Sequence, residues 1–250
     1  MSRFLALVAS AQAAKGIRED FLKLDCNLVE ARFIRRLNRF AVLVDLDGVQ
    51  TEVHVANSGR MRELLVQGYR VLLRPAAGNG RKTAFDLALV NLGHTLTSAD
   101  ARLPNSLLHE ALAEEAIPSL SGYTSIRREV TYGESRLDVA LEGPSGKCFV
   151  EAKSVTLIID GVGLFPDAPT TRGVKHLRSL CRAIEEGHRA AIVFVVQRED
   201  ATAFAPNDAA DPDFGLALRH ALDQGVEAYA FRCHVTTEEV RLADRLPINL

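Results

Sequence analysis

Apolar and polar positions follow a short period from Val29 to Asn91 and a mixed one after that. In the first stretch the alternation predicts strands at Val29–Arg36, Phe40–Asp45, Thr51–Val55, Tyr69–Leu73 and Ala84–Asn91. Asp47-Gly48 is a hairpin turn, Asn57-Ser58-Gly59 a loop, Arg60–Leu65 one helical turn, and Ala76-Ala77-Gly78-Asn79-Gly80 a further turn. Five short strands in about 60 residues predict a small closed barrel, OB-like in type.

The second half reads differently. Asn105 is positioned to cap a helix running to about Glu115, with Leu107, Leu108, Ala111 and Leu112 on its buried face. Strands follow at Ser125–Tyr132, Ser135–Leu141 and Lys147–Leu157, turned by Gly133 and Gly143-Pro144. A helix from Thr171 to Glu186 stops at Gly187, and the wholly apolar run Ala190–Val196 reads as a buried central strand. A helix at Phe214–Asp223 ends before Gly225, and Val226–Val235 is the last strand. This order, α-β-β-β-α-β-α-β, predicts a mixed sheet with helices on its faces. The expected fold class is α/β, α+β mixed. The expected domains are an N-terminal extension (1–25), an OB-like nucleic-acid-binding domain (26–92) and a second domain (93–250).

Charge sharpens this division. The net charge of −2 favours no partner, but residues 1–100 hold 14 Lys+Arg against 10 Asp+Glu, and residues 101–250 hold 16 against 22. A basic first half beside an acidic second half fits polyanion contact in one and cation binding in the other. In the barrel region, ten basic residues outnumber six acidic ones. Arg32, Arg35, Arg36 and Arg39 cluster on the first strand and its turn, and Arg60, Arg62, Arg70, Arg74, Arg81 and Lys82 lie on later elements. Phe33, Phe40, Tyr69 and Phe85 are interleaved, as a stacking surface for nucleic acid requires, although core packing is the preferred reading of each ring singly and the arginines are the stronger signal.

No apolar run approaches the ~20 residues of a membrane-spanning helix, so no membrane partner is expected. Arg3, Phe4–Ala9 and Ala9-Ser10-Ala11-Gln12-Ala13 loosely follow the layout of a secretory signal, with an apolar stretch at the short limit; a plain extension is the preferred reading. Cys26, Cys148, Cys181 and Cys233 form no CxxC motif and fit a reducing, cytoplasmic location. Gly161-Val162-Gly163 lacks the third glycine of a dinucleotide loop, Gly78-Asn79-Gly80-Arg81-Lys82-Thr83 lacks phosphate-loop spacing, and neither a Gly-x-Ser-x-Gly elbow nor a helix-turn-helix is present.

The candidate chemistry lies in two apolar strands. Asp138 interrupts Leu137, Val139 and Leu141; Glu151 and Lys153, thirteen and fifteen residues on, interrupt Phe149, Val150, Val155 and Leu157. A carboxylate in a half-buried strand is costly unless it meets a cation or a partner. Glu151 and Lys153, two apart, share a face, and the turn at 143–146 brings the strand carrying Asp138 alongside. Two converging carboxylates suit a hard divalent cation, Mg or Mn, and a lysine beside them suits phosphodiester hydrolysis. A Glu151–Lys153 surface salt bridge with Asp138 at a strand end is the plain alternative.

Several strings resemble the sugar fermentation stimulation protein A family: Ala56-Asn57-Ser58-Gly59-Arg60, Arg81-Lys82-Thr83, Arg102-Leu103-Pro104-Asn105, Gly122-Tyr123-Thr124-Ser125, Glu151-Ala152-Lys153-Ser154-Val155-Thr156, Phe165-Pro166-Asp167-Ala168-Pro169-Thr170, Arg172-Gly173 with Lys175-His176-Leu177, and Phe204-Ala205-Pro206-Asn207-Asp208. The resemblance runs from about Val29 to Val235. It implies an N-terminal OB-like domain followed by a mixed-sheet, restriction-endonuclease-like domain of the PD-(D/E)xK nuclease type. It also implies DNA binding of low sequence specificity and a link to sugar (maltose) metabolism. The family's nuclease pattern falls on Asp138, Glu151 and Lys153. Nucleases of this type often add a helix carboxylate to the metal site, for which Glu110, and after it Glu114, is the candidate; both fit a solvated helix surface as well. Arg172 and Lys175, with His176, open the helix after the site and are candidates for phosphate contact. His176 is a weaker candidate for a general base. Asp167, in a proline-bounded loop, is expected to form a turn. The leading expectation is a metal-dependent deoxyribonuclease. The alternative is a non-specific DNA-binding regulator whose nuclease site is weak or inactive.

Overall fold

A computed structural model describes residues 22–24, 27–76 and 80–250. The expectations for residues 1–21 and Cys26, and most of the turn expected at 76–80, lie outside these residues. The first described strand, β1 (Leu22–Lys23), pairs with the last strand of the second domain, although the sequence places it in the N-terminal extension.

The barrel comprises β2 (Val29–Asn38), β3 (Ala41–Leu46), β4 (Val49–His54), β5 (Arg70–Pro75) and β6 (Phe85–Asn91), close to the expected strands. Their order β4-β3-β2-β5-β6 closes through a parallel β4–β6 bridge at His54 and Asp86. Two register shifts in β2, after Phe33 and after Arg36, give the first strand the bend that closure demands. Asp47 and Gly48 adopt positive φ in the β3–β4 hairpin, as its type requires. A short sixth strand, β7 (Leu96–Ser98), pairs with β6 beyond the boundary expected at residue 92. Its three residues carry too little periodicity to be read from sequence.

The second domain carries α1 (Leu103–Ala113), β8 (Ser125–Tyr132), β9 (Ser135–Gly143), β10 (Gly146–Val155), β11 (Leu157–Ile159), β12 (Val162–Phe165), α2 (Thr171–Glu185), β13 (Arg189–Val196), β14 (Ala203–Pro206), α3 (Pro212–Asp223), β15 (Glu227–Val235) and β16 (Glu239–Leu246). Its main sheet has the order β1-β16-β15-β13-β10-β9-β8, with β10, β13 and β15 parallel. Leu103, Leu107, Leu108, Ala111 and Leu112 of α1 join the core on one face; Leu177, Leu180, Phe214 and Leu218 of α2 and α3 join that on the other. Coverage on both faces explains the uninterrupted apolar run of β13. The strand expected at 147–157 breaks at Thr156, and β11 turns away to build a small sheet, β11-β12-β14.

Helix α1 starts earlier than expected, and Asn105 is not its cap. Pro104 sits in the first turn, where its missing N–H costs nothing, and Arg102 occupies the cap position. Asp100 accepts the Arg102 backbone N–H at 2.9 Å. Asn105 therefore lies inside the helix with its amide free for another partner.

The two domains share a core and a hydrogen-bonded seam. Ala88 and Leu89 of β6 pack in the same cluster as α1 and the main sheet. The Ser98 N–H and the Thr97 hydroxyl both donate to the Gln197 carbonyl, at 3.3 and 3.0 Å. Asp167, expected to shape its own turn, instead accepts the backbone N–H groups of Arg60 at 2.6 Å and Met61 at 3.1 Å across the seam. Gly59 makes this approach possible: a Cβ there would lie 2.9 Å from Asp167 Oδ2 and 3.0 Å from Asn57 Oδ1. Gly59→Ala is expected to cost about 1–3 kcal/mol by forcing these groups apart, read as a lower urea midpoint. An unchanged midpoint would show that the seam yields freely. Among the described residues no helix is long and apolar enough to cross a membrane.

Candidate metal centre and nucleic-acid interface

The β9–β10 ladder ends at the pair Val139–Val150, one step before Asp138 and Glu151. Beyond that point side chains take over the pairing. Asp138 Oδ2 accepts the Ala152 backbone N–H at 2.8 Å, and Oδ1 accepts the Asn105 side-chain amide of α1 at 2.6 Å. The aspartate thus sits against the stretch that carries Glu151 and Lys153. Burial and the Glu151 charge push its carboxyl up to about 6, against the opposing Ala152 N–H, Lys153 and Asn105.

Glu151 and Lys153 share a face, as their spacing requires. Lys153 Nζ donates to Glu151 Oε1 at 2.5 Å, with only 10% and 3% of the two side chains exposed. This is a desolvated pair, unlike the surface salt bridge that the sequence left open. A third partner had a weaker expected role: His176, buried on α2, hydrogen-bonds through Nδ1 to the same Oε1. Burial works to raise the Glu151 carboxyl, but Lys153 and His176 outweigh it and hold the group below its usual value. Glu151 Oε2 is buried and has no hydrogen-bond partner. A bare carboxylate oxygen beside a second, destabilised carboxylate is the environment that a hard cation relieves, and an all-oxygen donor set suits a hard divalent ion. On this observation the residues fit a divalent ion.

Glu110 does not complete a triad of carboxylates. Among the described residues no group of three Asp, Glu, His or Cys side chains is placed to hold a metal. Glu110 is half-buried and more than a helical turn beyond Asn105, the α1 side chain that reaches Asp138; Glu114 follows the end of the helix. Cavity size does not locate this chemistry. A cavity of about 620 Å³ between α2 and α3 is lined by none of Asp138, Glu151 and Lys153.

The basic residues divide by what already occupies them. The Arg36 guanidinium donates to five backbone carbonyls, at 3.0 Å to Asn38, 2.7 Å to Gly59, Arg60 and Arg39, and 3.4 Å to Asn57. All its donors serve the loop, and none remains for a phosphate. Arg81 pairs with the buried Asp86, Arg74 lies between Asp86 and Asp100 at 3.8 and 3.5 Å, and Arg70 lies 3.9 Å from Glu30. Arg32 reaches the Gly68 carbonyl at 3.3 Å, Arg172 donates to His176 Nε2 at 3.3 Å, and Lys175 lies 3.5 Å from Glu134. Arg35, Arg39, Arg60, Arg62 and Lys82 are exposed. Of the rings, Phe33 is barrel core and Phe85 packs partly against it, whereas Phe40 and Tyr69 are exposed, with Arg39 stacked over Phe40.

Comparison with known proteins agrees with this two-part architecture. The family model "SfsA N-terminal OB domain" matches residues 34–98, and "Sugar fermentation stimulation protein RE domain" matches residues 102–239. A sugar fermentation stimulation protein homolog of Desulforamulus reducens is 46% identical over 89% of this chain and 93% of its own length. One from Moorella thermoacetica is 44% identical over 92% of this chain and 100% of its own. The solved structure of Pyrococcus furiosus SfsA in complex with Ca2+ superimposes with a TM-score of 0.85 at 31% identity, covering 92% of this chain and 99% of that one. The chain belongs to the sugar fermentation stimulation protein family.

Proposed function

We propose that this protein binds DNA with little sequence preference through its barrel and hydrolyses phosphodiester bonds at a divalent-ion site formed by Asp138 and Glu151. The observation that carries this reading is the bare, buried Oε2 of Glu151 beside an aspartate whose charge is destabilised where it stands. The Ca2+ in the Pyrococcus furiosus relative supports a divalent ion in this family. Mg or Mn is the choice for chemistry, because such an ion polarises a phosphoryl oxygen and lowers the pKa of a bound water. Lys153 spends one N–H on Glu151 and keeps two, enough to orient a water and offset charge on the phosphate. Arg172 and Lys175 lie in the first turns of α2, where helix N-terminal charge favours a phosphate.

The test is incubation with single- and double-stranded DNA plus Mn2+ or Mg2+, beside Asp138→Asn. Metal-dependent cleavage lost in the variant supports the enzyme. Equal binding without cleavage in both would overturn it in favour of a DNA-binding regulator.

The proposed barrel interface has its own check. Arg35→Gln and Arg39→Gln are each expected to reduce the slope of log affinity against log salt by about 0.9 on duplex DNA. Arg36→Gln is expected to leave the slope unchanged and to cost about 2 kcal/mol of stability, because it loses carbonyl contacts and no phosphate. Anisotropy titrations across a salt series and urea melts separate the two classes. A slope that falls most in the Arg36 variant would refute the division.

A further inference from the structure

His176 is buried on α2, and its two ring nitrogens have different partners. The Arg172 guanidinium has donors only, so at 3.3 Å from Nε2 it requires that nitrogen to be the acceptor. The ring proton of a neutral imidazole then sits on Nδ1, where it is donated to Glu151 Oε1. Lys153 Nζ, 3.5 Å from Nδ1, makes no bond to it because both are donors; it donates to Glu151 Oε1 instead. Two donors from different elements, one on α2 and one on β10, thus converge on one carboxylate oxygen. The other oxygen has none.

We infer that His176, held in its Nδ1–H tautomer by Arg172, is a positioning residue that fixes Glu151 Oε1 so that Oε2 is the oxygen presented to a divalent cation. This rests on the metal-binding reading above. It adds to Arg172 a role beside phosphate contact, carried by Nε alone, and gives His176 one different from proton abstraction. A carboxylate free to rotate would offer either oxygen and lose freedom on binding; one pinned at Oε1 is already arranged.

The test uses His176→Asn, whose amide keeps an N–H near the place of Nδ1, and His176→Leu, which removes it. Mn2+ affinity is measured by calorimetry on the full chain, with thermal melts in chelator to confirm folding. His176→Leu is expected to weaken Mn2+ binding roughly 10–100-fold and His176→Asn to restore most of the loss. Arg172→Met, which frees the tautomer, is expected to fall between them. Equal Mn2+ affinity in the unmodified chain and in His176→Leu would overturn the inference, as would equal losses in Leu and Asn, which would mean that the ring only fills space. Absence of Mn2+ binding by the unmodified chain would overturn the metal site itself, a different result from binding indifferent to residue 176.

Discussion

Lys153→Met is expected to lower stability by about 3–5 kcal/mol, a large share of the roughly 5–15 kcal/mol that holds a typical domain folded. The reason is the burial of its partner. Glu151 is 3% exposed at the side chain, and the ammonium is the largest influence that offsets the cost of desolvating it. Removing Lys153 leaves a carboxylate with His176 as its remaining hydrogen-bond partner, so the group is expected to take up a proton. In the unmodified protein the Glu151 pKa lies below its unfolded value. It therefore contributes stability above about pH 4.5, lost as the pH falls through the folded pKa. In Lys153→Met this dependence should reverse, with stability falling as the pH rises toward neutrality. The double variant Glu151→Gln/Lys153→Met removes both charges and should recover most of the loss. Urea midpoints at pH 5 and pH 7.5 read all three comparisons. A single variant as stable as the parent would mean that water reaches the pair. Neither variant should cleave DNA, so stability and activity are separable here only through the double change.

Asp138→Asn should behave in the opposite way, gaining stability while losing metal binding and cleavage. Burial and the Glu151 charge raise the folded pKa of Asp138 from 3.8 to about 6. A raised carboxyl pKa favours folding at low pH, and that contribution is lost as the pH rises through about 6. At neutral pH the ionised group is therefore a burden, of the order of 3 kcal/mol when the metal is absent. Asparagine removes the charge and keeps an oxygen for the Ala152 N–H; Asn105 need only turn its amide over to match the new donor. Melts in chelator should place the variant above the parent at pH 7.5, with the gap closing toward pH 4. Saturating Mn2+ should raise the parent alone, since an ion that binds only the folded state stabilises it. A variant less stable than the parent in chelator at pH 7.5 would show that the aspartate is structural, and would remove the physical reason for a cation beside it.

The two predictions differ in sign although the carboxylates are near neighbours. Glu151 is neutralised by groups of this chain, and Asp138 is not. The primary sequence separates them only by Lys153, two residues beyond Glu151 and on its face; both are otherwise single acids in apolar strands.

What the sequence determined by itself is local. Alternation of period two placed the barrel strands within a few residues. The apolar run at 190–196 announced a strand covered on both faces, and the acids in β9 and β10 stood out because an acid in such a strand needs an explanation. Short strands such as β7, β11, β12 and β14 hold too few residues to show a period. Tertiary structure alone decided what each polar group meets. Pro104 moved the start of α1, and so turned Asn105 from an expected cap into a partner of Asp138. The docking of α2 on the sheet brought His176 to Glu151, and the closing of the domain seam gave Asp167 the backbone of residues 60 and 61. The bend of β2 turned Arg36 inward among carbonyls while Arg35 stayed in solvent. Periodicity records which face of an element is buried. Which donor meets which acceptor depends on how elements distant in sequence are packed, and no local pattern carries that information.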